Sequence, residues 1–245
     1  MGSVPFSNIQ WHAEVTSTND VAATLAERGV PEGAVVAADA QSAGRGRHGR
    51  VWVSPPGAGL YVSLVLRPRA EAAPLLTIAA GVALSDAIQA ATGLSCALKW
   101  PNDLYVGGRK LAGILAEAGA APDGTPHVVL GFGINVLPAA FSPDIAARAT
   151  SLEGELGRAI DRHALLRACL DALAARYADV QEGRVGTVLD AWRARAATLL
   201  RRPIEWQQGG RPRRGVAETI DGSGALLVRT EQGVVRVISG EVRWI

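Results

Sequence analysis

Apolar positions along the chain fall into two textures, and the change comes near residue 198. Before it, short apolar runs of strand length alternate with longer stretches whose apolar residues recur every three or four positions. Val21, Ala22, Leu25 and Ala26 mark one such helical face, in a helix that opens at Thr16-Ser17-Thr18-Asn19-Asp20 and stops at Gly29. Ser17, with Asp20 three residues on, has the form of a capping box. Hydroxyls and an amide gathered at a helix N-terminus also suit a polar ligand, so two readings stand for this segment. Residues 33–38 and 60–66 read as buried strands, the second ended by Pro68. Residues 75–91 form an alanine-rich helix stopped by Gly93. Residues 104–106 and 110–117 predict a hairpin across Gly107-Gly108, which brings Lys110 and Asp103 near opposite ends of one short unit. Residues 128–136 are a strand in which Gly131 and Gly133 permit close approach, by packing or by a ligand. Residues 137–150, with Pro138 and Pro143, form a long loop suited to a lid. Helical spacing returns over 163–177 and 186–196, with His163 at a helix start and without partners that would make it a ligand.

Past Thr198 the pattern becomes short alternating runs, at 203–207, 214–220, 225–230, 234–238 and 241–244, split by glycine-rich turns. Five short strands in so few residues suggest a small barrel. The expected architecture is therefore an α/β unit with a central mixed sheet over residues 1–197 and a small β unit over 198–245.

Composition changes this picture little. A chain of 245 residues, 48% of them hydrophobic, can bury a large core, in one large and one small domain. A net charge of +2 implies no general pull toward nucleic acid. Cys96 and Cys169 lie far apart within apolar runs and read as reduced core residues. The first twelve residues lack a signal-peptide pattern, and the most apolar run, 75–84, is too short to span a membrane. A cytoplasmic protein without membrane contact is the expectation.

The candidate chemistry is local. Gly44-Arg45-Gly46-Arg47-His48-Gly49-Arg50 combines backbone freedom with a dense set of donors, and Gln41 and Trp52 flank it. Such a segment resists a fixed fold of its own and suits phosphate or carboxylate, so a mobile anion-binding loop that orders on its ligand is expected. Its glycines satisfy the dinucleotide fingerprint literally, but Val51-Trp52-Val53-Ser54-Pro55-Pro56 follows where a helix must begin. An RGG-like nucleic-acid segment would carry more stacking aromatics than Trp52 alone. A second cluster, Lys99-Trp100-Pro101-Asn102-Asp103 with Lys110, sets cations beside hard oxygens; Asp103 and Asn102 suit Mg²⁺.

Four segments taken together, Ser17-Thr18-Asn19, the arginine–glycine loop, 99–103 with 110–117, and Gly131-Phe132-Gly133-Ile134-Asn135, resemble biotin–protein ligase (biotin–[acetyl-CoA-carboxylase] ligase, holocarboxylase synthetase) over nearly the whole chain. The resemblance implies a class II synthetase-like catalytic domain with a C-terminal SH3-like barrel. It implies two half-reactions: biotin and ATP give biotinyl-5′-AMP and pyrophosphate, and a lysine of a biotin carboxyl carrier protein then takes the biotinyl group. By this likeness Ser17, Thr18, Asn19 and Gln41 hold the biotin head, with Gly44, Arg45, Arg47, Gly113 and Lys110 completing the biotin site. Arg47, Arg50, Trp52, Lys99, Asn102, Gly133 and Asn135 serve ATP and the adenylate, and Asp103 with Asn102 the metal. Lys110, Arg47 and Asp103 are the expected catalytic residues, and His48 has no assigned role. ATP and Mg²⁺ are the implied cofactors; a homodimer is left open. The motifs begin within twenty residues of Met1, which leaves no room for the DNA-binding domain of the family's repressors, so no sequence-specific DNA binding is expected. Lipoate ligases share the fold without this arginine-rich loop.

Overall fold

The computed structural model describes residues 6–141 and 145–245. Seven strands build one mixed sheet in the order β1-β2-β3-β7-β6-β5-β4. They are β1 Asn8–Val15, β2 Ala34–Gln41, β3 Gly59–Leu66, β4 Ala97–Lys99, β5 Asp103–Val106, β6 Arg109–Ala120 and β7 Pro126–Asn135. Only β1 and β2 run parallel, joined by helix α1 (Thr18–Glu27) as a crossover; every other neighbour is antiparallel. The strands β1 and β4 were not foreseen. The hairpin was, in sharper form: a bulge beside Leu104 puts Lys110 opposite Tyr105 and Asp103 opposite Gly113.

One face of the sheet buries against α1 through Ala22, Ala26, Val36, Val65 and Val129. The other carries α2 (Leu76–Thr92), with α4 (Arg162–Gln181) and α5 (Val185–Ala196) packed on it. α2 ends as the sequence dictates: Gly93, at φ 80, takes the left-handed conformation and returns its N–H to the Gln89 carbonyl. With the preceding 3₁₀ turn, the helical stretch Ala73–Thr92 runs 20 residues and is, by length and composition alone, long and apolar enough to cross a membrane. This corrects the expectation that no apolar run reaches membrane length. The reason for its apolarity is burial between the sheet and α4, which the sequence cannot distinguish from lipid. α4 begins where expected: Asp161 caps the backbone N–H groups of His163 and Ala164 at 2.8 and 3.1 Å, and the His163 ring stacks on Trp11. A short helix, α3 (Leu152–Leu156), follows the 137–150 loop, of which Pro143 lies outside the described residues.

The expected capping box on α1 does not form. Ser17 occupies the N-cap position by its backbone, but its side chain makes no cap hydrogen bond, and the Asp20 carboxylate is drawn instead to Arg45 at 2.8 Å.

Five strands make a second, antiparallel sheet in the order β11-β10-β9-β8-β12, from β8 (Pro203–Gln208), β9 (Arg211–Ile220), β10 (Leu226–Thr230), β11 (Gly233–Val237) and β12 (Val242–Trp244). Its edge strands β11 and β12 are not hydrogen-bonded to one another, so the expected barrel is open along that seam. Two indoles tie this sheet to the rest: Trp100 Nε1 donates to the Gly224 carbonyl at 2.9 Å, and Trp244 Nε1 to the Leu199 carbonyl at 2.7 Å.

Candidate active site

A cleft of about 720 Å³, in the range of small-molecule sites, opens between the α1 N-terminus, the end of β2, the arginine–glycine loop, the β5–β6 hairpin, residues 140–141 and 145–149 and the start of β12. Every residue assigned to the site from sequence lines it except Gly44. Gly44 acts one layer back: its carbonyl accepts the Trp52 N–H at 2.9 Å, and a Cβ there would lie 2.3 Å from the Trp52 carbonyl.

At one end of the cleft a polar chain closes the α1 N-terminus onto the sheet. Thr18 donates to Gln41 Oε1 from its backbone N–H at 2.8 Å and from Oγ1 at 3.2 Å, and Gln41 Nε2 donates to Ser54 Oγ at 2.9 Å. Ser63 Oγ lies 2.8 Å from Thr18 Oγ1 and donates to Asn19 Oδ1 at 2.5 Å. Asn19 Nδ2 in turn donates to Glu117 Oε2 at 2.6 Å. Ser17, Thr18, Asn19 and Ser63 are all buried, so these bonds fix their orientations. Ser17 lines the cleft as well, and its side chain makes no cap hydrogen bond.

The glycine–arginine stretch follows a tight path. Arg45 bridges Val51, Gly46 N–H donates to the Arg50 carbonyl at 2.7 Å, and a 3₁₀ turn at Arg47–Gly49 places His48 in the left-handed region at φ 55. Each arginine has a different anchor. Arg45 Nη2 meets Asp20 and Glu117, both at 2.8 Å. Arg47 donates to Asn102 Oδ1 at 3.2 Å and to the Gly240 carbonyl at 3.3 Å. Arg50 pairs with Glu241, whose carboxyl is held below its usual range by that bond. The start of the C-terminal strand β12 thus reaches the loop.

At the other end, Lys110 Nζ lies 2.6 Å from Asp103 Oδ1, an ion pair off the hydrogen-bond line that leaves this buried oxygen otherwise unpartnered. The bulge makes the contact, since it puts Asp103, Tyr105 and Lys110 on one face of the hairpin. Lys99 lies between the rings of Tyr105 and Trp244, 4.9 and 5.0 Å from their centroids; burial lowers its pKa. Burial, with Asp103 and Glu241 nearby, pushes the Tyr105 phenol up to about 12. Asn135 lies in the wall, but its Nδ2 is engaged by the Thr150 carbonyl at 3.0 Å and pins the segment before α3. The glycines of β7 approach the protein's own side chains: a Cβ on Gly131 would sit 2.0 Å from Asn19 Oδ1, and one on Gly133 2.5 Å from Trp52 Nε1. Trp52 Nε1 is buried without a partner among the described residues, with Lys110 Nζ 5.3 Å from its ring centroid. Among the described residues no three carboxylate, histidine or cysteine side chains gather as a metal centre.

Sequence reasoning missed Ser63, Glu117, Tyr105, Glu241 and Arg243, the last four lining the cleft or contacting its loop. Ser63 had a signal, as the one small polar residue inside the apolar run 60–66. Glu241 and Arg243 had none, because their place depends on how the second sheet docks.

Residues 11–135 match the biotin/lipoate A/B protein ligase family. The chain belongs to that family. Residues 202–243 match the biotin protein ligase C-terminal domain. The biotin–[acetyl-CoA-carboxylase] ligase of Paracoccus denitrificans is 39% identical over 94% of this chain and 98% of its own length. The bifunctional ligase/repressor BirA of Bacillus subtilis is 36% identical over 95% of this chain and 72% of its own length. Among solved structures, biotin protein ligase from Aquifex aeolicus in complex with biotin and ATP is 29% identical with a TM-score of 0.82, covering 98% of this chain and 100% of that one. This family chain is a ligase enzyme with the class II synthetase-like fold.

Proposed function

We propose that the protein activates biotin with ATP and transfers the biotinyl group to a lysine of a biotin carboxyl carrier protein. The observation that carries this reading is the convergence, in one cleft, of a buried hydroxyl–amide pocket with Arg47, Arg50, Lys99 and Lys110. The pocket of Ser17, Thr18 and Gln41 offers donors and acceptors that a ureido ring can use and an acyl chain without polar groups cannot.

In the first half-reaction a biotin carboxylate oxygen attacks the α-phosphorus of ATP. The new C–O–P bond forms as the bond to pyrophosphate breaks, and charge grows on the phosphoryl oxygens. Lys110 and Arg47 would supply positive charge there, and Arg50 and Lys99, which line the same cleft, would meet the leaving pyrophosphate. Trp52, seated on Gly113 and Gly133, walls off the acyl chain. Asn102 and Asn135 border the nucleotide.

In the second half-reaction the carrier amine attacks the acyl carbon and AMP leaves with the bonding pair. Asp103 is the carboxylate in reach to take the proton that the amine sheds, once Lys110 turns to the phosphate. No enzyme nucleophile is needed: Cys96 and Cys169 are buried, and burial holds the Cys96 thiol up at about 12. The otherwise unpartnered Asp103 Oδ1, with the Asn102 amide oxygen once Arg47 leaves it, would hold Mg²⁺ entering with ATP, since Mg²⁺ keeps most ligands from phosphate and water. Bound Mg²⁺ would neutralise phosphate charge there.

We take residues 1–197 as the catalytic domain and 198–245 as a domain that props the loop through Glu241. Two free, buried cysteines suit a cytoplasmic setting.

The deciding experiment is mass spectrometry of a biotin-accepting carrier domain incubated with the protein, Mg²⁺, ATP and either biotin or lipoate. A gain of one biotin that needs ATP and disappears in Lys110→Ala is expected. A lipoyl gain would keep the chemistry and overturn the pocket assignment; no gain from either acid would overturn the reading.

A further inference from the structure

Among the loop arginines, Arg45 is the one whose guanidinium already faces two carboxylates. Asp20 comes from α1 and Glu117 from β6, elements that approach the loop from different sides. An arginine so saturated is poorly placed to receive a further anion: the trio carries a net negative charge, and an incoming carboxylate would have to displace one already bound. Arg47, by contrast, is held among the described residues by an amide oxygen and a backbone carbonyl.

Glu117 does a second thing. The same Oε2 that meets Arg45 accepts the Asn19 amide at 2.6 Å. The path is created by the sheet. Ser63 of β3, Gly131 of β7 and Leu115 of β6 lie side by side in one row across three strands. Because Gly131 has no side chain, Asn19 lies flat against β7 and spans from Ser63 on one side toward β6 on the other, where Glu117 stands two residues beyond Leu115. Hydrogen bonds therefore run from Ser63 through Asn19 and Glu117 to Arg45, and Ser63 Oγ lies 2.8 Å from the hydroxyl of Thr18, whose backbone N–H donates to Gln41.

We infer that Glu117 is a positioning residue that couples the head-group pocket to closure of the arginine–glycine loop, with Arg45 as the loop's tether and not an anion receptor. The inference rests on the biotin–protein ligase reading. When Asn19 is correctly oriented, Glu117 holds Arg45 and the loop lies over the cleft. When the pocket is disturbed, the tether loosens and the adenylate is exposed to solvent.

The test separates the tether from the pocket and both from general stability. Adenylate formation is followed by biotin-dependent exchange of labelled pyrophosphate into ATP, and leakage by free biotinyl-AMP in solution. Glu117→Gln keeps an oxygen for Asn19 but loses the charge on Arg45. It is expected to raise leakage about tenfold, in line with loss of a charged hydrogen bond, while kcat for exchange stays within about twofold. Arg45→Gln, a second route to the same break, is expected to raise leakage to the same degree, and the double variant to leak no more than either single one. Asn19→Ala is expected to raise the KM for biotin as well as leakage. Glu117→Asp, which keeps the charge on a shorter arm, is expected to recover part of the retention. A lower Tm with unchanged leakage and KM would overturn the inference, as would additive effects in the double variant or a loss of exchange in Arg45→Gln as deep as in Lys110→Ala. If the unaltered protein supports no biotin-dependent exchange, the proposed function itself falls, and that result is distinct from all of these.

Discussion

Two glycine-to-alanine changes of identical chemistry should act with opposite signs. At Gly131 a methyl group would be built 2.0 Å from Asn19 Oδ1, well inside contact distance. Neither side can yield cheaply. β7 is hydrogen-bonded to β3 and β6 along its length, so the backbone is fixed from both edges. Asn19 is 5% exposed and held by Ser63 and Glu117, so moving it breaks bonds at 2.5 and 2.6 Å. Overpacking of this kind costs about 2 kcal/mol. Losing one neutral and one charge-assisted hydrogen bond adds about 2 kcal/mol. A total of about 4 kcal/mol corresponds, for a chain of this size, to a Tm lower by roughly 8–16 °C. Gly186, by contrast, lies in the first turn of α5 with nothing within 4 Å of a Cβ and no left-handed φ. Alanine there removes backbone entropy from the unfolded chain and should raise stability by about 0.5–1 kcal/mol. Differential scanning calorimetry of the two variants, with KM for biotin, makes the comparison. A Gly131→Ala protein that melts within about 2 °C of the parent and keeps its KM would refute the packing argument, since Asn19 would then have moved at no cost.

Further outcomes follow from single contacts. Lys110→Ala removes the cation nearest the proposed phosphoryl transfer and leaves Asp103 unpaired, so pyrophosphate exchange should fall by about 10²–10³-fold with little change in fold. Retention of more than a tenth of the parental exchange would rule out that role. Trp100→Phe deletes the donor to the Gly224 carbonyl, a buried link between the two sheets. A loss of about 1–2 kcal/mol is expected in urea denaturation, and a midpoint equal to the parent's would remove that link from the account. For Asp221, burial raises the carboxyl pKa, but bonds from Ser223, Arg236 and Ala225 outweigh it and hold the group at about 2. A folded pKa below the unfolded value of about 3.9 means that its stabilisation is present above that pH and is lost as pH falls toward 2. The gap in urea midpoint between the parent and Asp221→Asn should therefore narrow as pH drops below 4, and a gap that widens would contradict the sign.

What was legible in the sequence was what local physics fixes. The helices α2, α4 and α5 announced themselves by spacing and by stops such as Gly93, and the hairpin by its glycine pair. β1 was passed over although Ile9, Trp11, Ala13 and Val15 alternate, because an edge strand that buries little shows only a faint contrast. The capping box at Ser17 and Asp20 failed for a different reason: a charge 25 residues away, on Arg45, competed for the Asp20 carboxylate and won. The site follows the same division. Residues clustered in sequence, 17–19, 44–50 and 99–103, were found, since their chemistry is visible in composition. Glu117 was not singled out, because its partners lie 98 and 72 positions away and meet it only after β3, β7 and β6 have paired in one register. A shift of β6 by one residue would turn Glu117 to the opposite face and leave Asn19 and Arg45 without it. The part of the site that sets its geometry is thus specified by the sheet's register, and that register is written across the whole apolar pattern of the chain.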